Sequence, residues 1–304
     1  MSATPAAADG RRLDRRRFAW QAYAFLSPAL LATSVVFAAS MVILAIYSLR
    51  EFAEGRMLSA FSLATWSELL TSEFFWRVVW TTMKLGLLTV GLTLLIGYPM
   101  ALALYRLPSR TLRYVAFFLL FSPLLTSVVV RSYGWALILG DGGFVNNLLL
   151  RWHVVDTPYR LLYEFSGVTI GLVHILLPFM VFPILAVLDQ FDTMLEEASA
   201  DLGGTGFTTF RRVTFPLTVQ GVIAGSQLVF ALAISAFATP SLLGGGRVQV
   251  LSEKIYNDVG GLDWPHAGVA SFVLLALALS AIGIFTLLLR LQSGTARATW
   301  DYAR

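Results

Sequence analysis

Two cations stand inside long apolar stretches of this sequence, where a charge is expensive to place. They are Lys84 and Arg131. A lone Lys or Arg at the centre of a bilayer costs about 2.5–3.5 kcal/mol on insertion scales, so such residues are typical of functional positions. Lys84 lies close enough to the end of its stretch for the long stem to reach an interface. Arg131 lies deeper, and it either lines a polar path or bonds to backbone carbonyls.

Other reactive residue types lack the spacing that catalysis or metal binding requires. A phosphate-binding loop needs Gly-Lys-Ser/Thr, whereas Lys84 follows Met83 and Lys254 follows Glu253. The histidines His153, His174 and His266 show no ligand spacing, and the chain has no cysteine to complete a zinc site. The sequence therefore predicts no catalytic residue, no metal site and no cofactor bound by this chain.

A polar segment between two apolar stretches is the strongest functional signal. It reads Glu197-Ala198-Ser199-Ala200-Asp201-Leu202-Gly203, and Val213-Thr214-Phe215-Pro216 follows it. We expect a short helix from Leu195 to Leu202, with Glu196, Glu197 and Asp201 near its positive N-terminal end and Gly203-Gly204 ending it. Such a capped surface helix favours docking to a partner over catalysis.

Composition places most of the chain in a bilayer. Apolar residues make up 57% of the 304 residues, charged residues only 13%, and the mean hydropathy is +0.72. A membrane span needs about 20 mostly apolar residues. The sequence predicts an all-α membrane protein with six spans, at Ala24–Leu49, Val78–Leu104, Tyr114–Leu139, Val168–Leu188, Val219–Ala238 and Gly268–Leu289.

The arginines predict the orientation, since short cytoplasmic loops retain positive charge. They concentrate in the N-terminal segment 1–23, in the loop between the second and third spans, and in the tail 292–304. Both termini and the loop 189–216 should then be cytoplasmic, and the six-span domain should cover residues 24–291. The paired arginines Arg15–Arg17 resemble an export signal, but the apolar run after them is too long for a signal-peptide core. The excess of basic residues, which gives a pI near 9.5, is explained by positive charge retained in cytoplasmic loops. Nucleic acid is therefore not an expected partner.

Two amphipathic pieces are predicted on the outer side, at 62–75 and at 144–152. Either can seat a soluble protein or simply anchor the chain in the interface.

An ordered set of motifs resembles the permease subunits of binding-protein-dependent ABC importers of the spermidine/putrescine type. The polar segment resembles their "EAA" loop, with Ser199 in place of an alanine and with Val213 and Phe215 in place of isoleucine and leucine. The other matching pieces are Ser122-Pro123-Leu124-Leu125-Thr126-Ser127, Val130-Arg131-Ser132-Tyr133-Gly134-Trp135, Gly143-Phe144-Val145-Asn146, Asp156-Thr157-Pro158, Leu176-Leu177-Pro178-Phe179-Met180, Leu242-Leu243-Gly244-Gly245 and Asp263-Trp264-Pro265. The resemblance covers residues 20–292.

That resemblance implies the type I importer permease fold in a bacterial inner membrane, and a subunit without catalytic activity. It implies that the loop docks on an ATPase through Glu196, Glu197, Ala198, Asp201, Gly203 and Pro216, while ATP and magnesium bind to that partner. The expected partners are two ATPase subunits, a second and non-identical permease, a periplasmic or lipid-anchored solute-binding protein, and membrane lipid.

The predicted solute path runs beside Arg131, Tyr133 and Trp135 on the third span and beside Thr239 and Ser241 after the fifth, where Thr239-Pro240 should break the helix. Polyamine permeases often carry an acid just before the Leu-Leu-Gly-Gly piece, where this chain has Ser241. The solute class stays open among polyamines, opine-like compounds, amino acids and aminophosphonates.

Two other functions remain alternatives. A self-sufficient secondary transporter would need coupling-ion sites, yet the sequence has no Asp or Glu between Glu73 and Asp141. A membrane scaffold without transport would leave the polar loop without a purpose.

Overall fold

The computed structural model describes the backbone of residues 5–53, 56–190 and 194–301. Side chains are described from residue 26 onward, except for part of a hairpin near residue 55 and most positions after residue 287. The arginines that predict the orientation of the N-terminal segment 1–23 and of the tail 292–304 lie outside the described side chains, as do residues 191–193 of the loop 189–216.

Helices dominate the described chain, and one short hairpin interrupts them. The elements in order are α1 (Pro5–Ser48), β1 (Arg50–Ala53), β2 (Arg56–Phe61), α2 (Ala64–Thr71), α3 (Glu73–Tyr105), α4 (Arg110–Phe121), α5 (Val128–Leu139), α6 (Phe144–Arg151), α7 (Phe165–Leu188), α8 (Met194–Asp201), α9 (Gly206–Thr209), α10 (Phe215–Ser235), α11 (Ala238–Gly244), α12 (Leu251–Gly260) and α13 (Trp264–Asp301). A 3-10 turn (Ser122–Leu125) follows α4, and a π-helix (Phe210–Thr214) precedes α10.

Within the described residues, five helical segments are long and apolar enough to cross a membrane. They are Leu26–Ser48, Glu73–Tyr105, Phe165–Leu188, Gly206–Ser235 and Trp264–Leu287. A sixth crossing results if one broken pair of segments counts as one span. The predicted number of six spans therefore agrees with the structure if the broken pair crosses the membrane as one span.

The predicted third span, Tyr114–Leu139, is wrong as a continuous helix. Arg110–Leu125 and Val128–Arg151 meet at an angle of 100°. Pro123 lies in the 3-10 turn at this bend, and Thr126 has an extended backbone with ψ 140°. A proline lacks the N–H that would continue the helical hydrogen bonds, so the apolar stretch that hydropathy marked is divided into two helices of different direction.

The core of the bundle is formed by α3, α7 and α10. Buried apolar side chains such as Met180, Ile184 and Val229 fill it. Gly221 brings α10 so close to α7 that a Cβ there would lie 2.7 Å from the carbonyl oxygen of Pro183. Gly225 meets α7 in the same way, since a Cβ there would lie 3.1 Å from the Met180 carbonyl oxygen.

The loop end of the bundle, which carries residues 189–216, is held by the ends of α3, α7 and α10. At the far end lie the hairpin, α2, α11 and α12. No pattern in the sequence predicted the hairpin. The amphipathic piece predicted at 62–75 is divided, because Ser72 ends α2 and its hydroxyl accepts a hydrogen bond from the N–H of Phe75 in α3. The helix predicted at 144–152 is confirmed as α6.

The break after α10 lies earlier than predicted. The helix ends at Ser235, and α11 begins at Ala238. Pro240 therefore stands in the first turn of α11, where its missing N–H leaves no intrahelical bond unmade. Helix α12 contacts this break, since Ser252 Oγ donates to the Ala236 carbonyl. At the same end of α12, the Leu251 N–H donates to Thr82 Oγ1 on α3.

Candidate functional site

The polar loop forms a short helix, as predicted. Helix α8 covers Met194–Asp201, and it ends in a Schellman motif. The Gly203 N–H donates to the Ala200 carbonyl and the Gly204 N–H to the Ser199 carbonyl, each at 2.9 Å. Gly203 has φ +80°, a left-handed conformation that strains any residue with a Cβ. The glycine therefore fixes where α8 stops.

The docking residues predicted from the resemblance do not all share one environment. Glu197, Ala198, Asp201 and Gly203 are exposed, whereas Glu196 is half-buried. Pro216 is exposed in the first turn of α10. The placement of Asp201 near the positive end of the helix is wrong, because Asp201 is the last residue of α8 and lies at the opposite end.

A concave surface lies between α8 and the segment that follows it. Its volume is about 460 Å³, and its lining includes Leu195, Ala198, Leu202, Thr208, Arg212 and Val213. Leu202 is 90% exposed and Phe207 73% exposed. Such large apolar side chains at a loop tip are typical of a protein contact, although neither was singled out from the sequence because single apolar residues in a loop carry no periodicity.

Glu196 turns away from the exposed side of α8 and contacts the base of α10. Its Oε1 accepts a hydrogen bond of 2.9 Å from the hydroxyl of Thr214, a residue of the π-helix that is 1% exposed. On α10, the hydroxyl of Thr218 donates to the Thr214 carbonyl at 2.9 Å and lies 2.7 Å from the Tyr98 hydroxyl of α3. Sequence reasoning missed Thr218 and Tyr98, and the spacing of Thr214 and Thr218 by four residues was the available signal.

Arg131 bonds to the bend that precedes it. Its Nη1 donates to the carbonyls of Pro123 and Thr126, two acceptors exposed by the broken helix. The residue is 9% exposed, and its Nη2 is buried without a partner among the described residues. Of the two roles left open by the sequence, this geometry matches bonding to backbone carbonyls.

Arg131 also belongs to the wall of a cavity of about 300 Å³ between α5, α7 and the break after α10. The other lining residues are mainly apolar and include Leu176, Phe179, Leu232, Phe237 and Thr239. Of the predicted path residues, the structure brings Arg131 and Thr239 together here.

The remaining predicted path residues lie elsewhere. Tyr133 is 62% exposed on the outside of α5, and Ser241 is half-buried in α11. The indole N–H of Trp135 donates to His174 Nδ1 of α7 at 3.1 Å. None of the three belongs to the lining of the cavity. Lys84 is exposed, with its Nζ 5.4 Å from the ring centroid of Trp80, in keeping with a stem that reaches the interface.

Several acids of the far end have partners. Lys254 binds Asp258 at 2.9 Å, and His266 Nδ1 lies 2.8 Å from an oxygen of Asp263. Glu253 differs, because it is 7% exposed and its Oε2 has no hydrogen-bond partner among the described residues. Burial raises the pKa of the Glu253 carboxyl above its ordinary value. Burial likewise raises the pKa of Asp258, and Lys254 opposes that change.

Comparison with known proteins identifies the family. The family model described as "Binding-protein-dependent transport system inner membrane component" matches residues 93–293. The spermidine/putrescine transport system permease protein PotB of Escherichia coli K12 is 36% identical over 215 residues, which cover 70% of this chain and 78% of PotB. PotB of Haemophilus influenzae is 33% identical over 217 residues, with coverage of 71% and 76%.

Solved structures show the same fold at lower identity. A chain of the bacterial alginate ABC transporter, in complex with an alginate-bound periplasmic protein, superposes with a TM-score of 0.70 at 20% identity, over 90% of this chain and 94% of that one. A chain of the methionine transporter MetNI in an inward-facing conformation gives a TM-score of 0.54 at 16% identity, over 73% and 99%. The fold is therefore that of type I importer permeases.

These relatives favour an importer subunit over a self-sufficient secondary transporter. Permeases of this kind are multi-pass membrane proteins that work with an ATPase, a solute-binding protein and a second permease. The chain belongs to the inner-membrane components of binding-protein-dependent transport systems and is a non-catalytic permease subunit of an ABC importer.

Proposed function

We propose that this chain forms half of the translocation path of an importer in a bacterial inner membrane, and that α8 docks on the ATPase. The observation that carries the proposal is the exposed helix α8, which ends at a glycine of positive φ beside an apolar concave surface. Glu197, Ala198, Asp201 and Gly203 are the proposed contacts on α8, and Pro216, exposed in the first turn of α10, is a further proposed contact. The loop and both termini then lie in the cytoplasm.

Charge reversal at the start of α8 tests the docking. Glu197→Lys places a cation at the positive end of the helix dipole, and Gly203→Asp introduces a Cβ at φ +80°. Both variants should reach the membrane and lose ATPase association in a pull-down. Glu164→Lys, a half-exposed position at the far end, is the control and should bind the ATPase normally. Full association of both α8 variants would contradict the docking.

The proposed assembly contains two permease chains and two ATPase subunits, with ATP and magnesium bound by the ATPases. One chain offers one docking helix, so two ATPases require two permeases. The spermidine/putrescine-type resemblance supports a non-identical second permease. Native mass spectrometry of the purified complex should show this stoichiometry, and a transport-competent monomer would contradict it.

For the solute, we propose a polyamine or a related amine. The support is the identity to two PotB proteins, whose names specify spermidine and putrescine. Mass spectrometry of the ligand retained by the co-encoded binding protein tests this directly. Uptake of labelled spermidine should be inhibited by excess putrescine and not by amino acids or aminophosphonates; the reverse pattern would assign another solute class.

The cavity beside Arg131 and Thr239 is the proposed part of the path in this chain. Its wall is formed where two helices break, so backbone groups are available to a solute. Because two cations in a poorly solvated path repel each other, an amine solute requires that Arg131 hold the wall and not bind the solute. Tyr133, Trp135 and Ser241 remain candidates only for a contact made in another conformation or with the second permease.

A further inference from the structure

The contact between Glu196 and Thr214 joins the docking helix to a membrane span. It bridges 18 positions of sequence, and Thr214 is almost fully buried. The carboxylate of Glu196 is a charged acceptor, which strengthens a hydrogen bond. The donor, Thr214, is buried, so its hydroxyl has little access to water. Helix α8 is therefore tied at its N-terminal end, while its exposed side remains available for a partner.

The contacts continue from Thr214 to α3 in a defined direction. A hydroxyl has one hydrogen, and that of Thr218 is directed to the backbone at the Thr214 and Phe215 carbonyls, at 2.9 and 3.0 Å. Tyr98 must then donate its own hydrogen to Thr218 Oγ1, at 2.7 Å. We call these four residues, Tyr98, Thr218, Thr214 and Glu196, the Tyr98 network.

Aromatic side chains also pack around Tyr98. The ring of Tyr98 lies 5.7 Å from that of Phe210 and 5.8 Å from that of Phe215, between centroids. Phe210 is the first residue of the π-helix, which ends at Thr214, and Phe215 follows it directly. A π-helix is rare and commonly marks a functional position in a span. The base of α10 is thus fixed to α3 by the hydrogen bond between Thr218 and Tyr98 and by the ring contacts of Tyr98.

We propose that the Tyr98 network makes α8 and the loop ends of α3 and α10 move as one unit when the ATPase displaces α8. This inference rests on the proposed docking of α8. Within it, Glu196 is a positioning residue that acts through Thr214, whereas Glu197 and Ala198 contact the ATPase. In this proposal Glu196 contributes to coupling by holding α8 to the base of α10, and not by contacting the ATPase.

The experiment measures whether α8 and α3 move together. Spin labels on cysteines at Ala103 of α3 and Ala200 of α8, in a chain that has no native cysteine, report their distance in the assembled transporter. The distance is measured without nucleotide and with ATP trapped by vanadate. In the wild-type background it should stay the same in both states.

Thr214→Val removes the donor and keeps the side-chain shape. In this variant the distance without nucleotide should match the wild type, and the trapped state should show a second distance that the wild type lacks, because the bond that holds α8 to the base of α10 is lost. Tyr98→Phe should do the same, and the double variant should add little, because the residues act as one network. Thr214→Ser keeps the donor and should behave as wild type, whereas Glu196→Gln keeps an acceptor without its charge and should give a smaller second population than Thr214→Val. Thr209→Val is the matched control, since it removes a bond to Ser199 within the loop and none to α3.

Wild-type distances in both states of Thr214→Val would overturn the proposal. A distance altered already without nucleotide would also overturn it, because the network would then only maintain the fold. If Thr214→Val does not assemble, Tyr98→Phe decides by the same two measurements. If Glu197→Lys loses ATPase binding but the distances in Thr214→Val are unaltered, the docking proposal stands and only this inference is rejected. If Glu197→Lys still binds the ATPase, the docking proposal itself is rejected.

Discussion

Arg113 at the start of α4 binds Asp189 at the end of α7, with its Nη2 2.6 Å from each carboxylate oxygen. The two residues are 76 positions apart in the sequence. The contact joins the start of α4 to the end of α7 at the loop end of the bundle. It also lies next to the polar loop, which begins at Asp189.

Arg113→Gln should lower the stability of the assembled permease only slightly. Both side chains are partly exposed, at 29% and 44%, and pairs of that kind contribute up to about 1 kcal/mol. Thermal unfolding in detergent should show a small decrease at low salt that disappears at high salt, since ions screen the pair. A large decrease independent of salt would mean that Arg113 has a packing role.

Gly221→Ala should strongly destabilise the fold, although it adds only one methyl group. The new Cβ would meet the Pro183 carbonyl at 2.7 Å and the Ile184 Cα at 2.8 Å, and backbone atoms cannot rotate away. Overpacking of this kind costs about 1–3 kcal/mol. Gly91→Ala of α3 is the control, because a Cβ there meets nothing within 4 Å and alanine favours helix. Equal thermal stability of the two variants would contradict the close packing of α7 and α10.

Arg131→Gln should impair assembly more than it alters solute selection. The substitution weakens the donors to the Pro123 and Thr126 carbonyls, and a charged hydrogen bond contributes about 1.5–3 kcal/mol. The yield of assembled complex after detergent extraction measures this. Lys84→Gln, which replaces an exposed cation on α3, should assemble normally. Normal assembly of Arg131→Gln with lost uptake would instead show direct contact with an anionic group of the solute.

The orientation is tested with single cysteines. Thr157 is exposed in the loop after α6, and Ala200 is exposed on α8. In intact cells an impermeant thiol reagent should label a cysteine at Thr157 and leave one at Ala200 unlabelled. Asn146 is unsuitable as a probe, because it is fully buried and bonds to Gly140 and Tyr159. Labelling at Ala200 alone would reverse the orientation.

Glu253→Gln should remove a pH dependence of stability. Burial raises the pKa of Glu253 from its ordinary value of 4.5, so the fold prefers the protonated carboxyl. The stabilisation from that proton is complete below pH 4.5 and is lost as the pH rises through the raised pKa of the folded protein. Glutamine mimics the protonated form, so the variant should unfold at a higher temperature than wild type at pH 8, with no such difference at pH 4. Glu164→Gln, at a half-exposed position, is the control; an equal shift there would contradict the assignment to Glu253.

The sequence by itself determined the membrane segments and the docking helix. Hydropathy is a property of consecutive residues, and five of the six predicted spans correspond to continuous helices. The end of α8 is equally local, because Gly203 adopts a positive φ that a residue with a Cβ cannot adopt without strain. The ordered motifs were sufficient to indicate the family.

Only the tertiary structure decided how those pieces meet. The 100° bend at Pro123, the carbonyls that Arg131 binds, and the break at Ala236 depend on which helices pack there. The bond from Glu196 to Thr214 and the burial of Glu253 join or enclose residues that no periodicity connects. Helix ends and hydropathy follow from local chain energetics, whereas the partner of a buried polar group is set by long-range packing, which a single sequence does not encode in any short pattern.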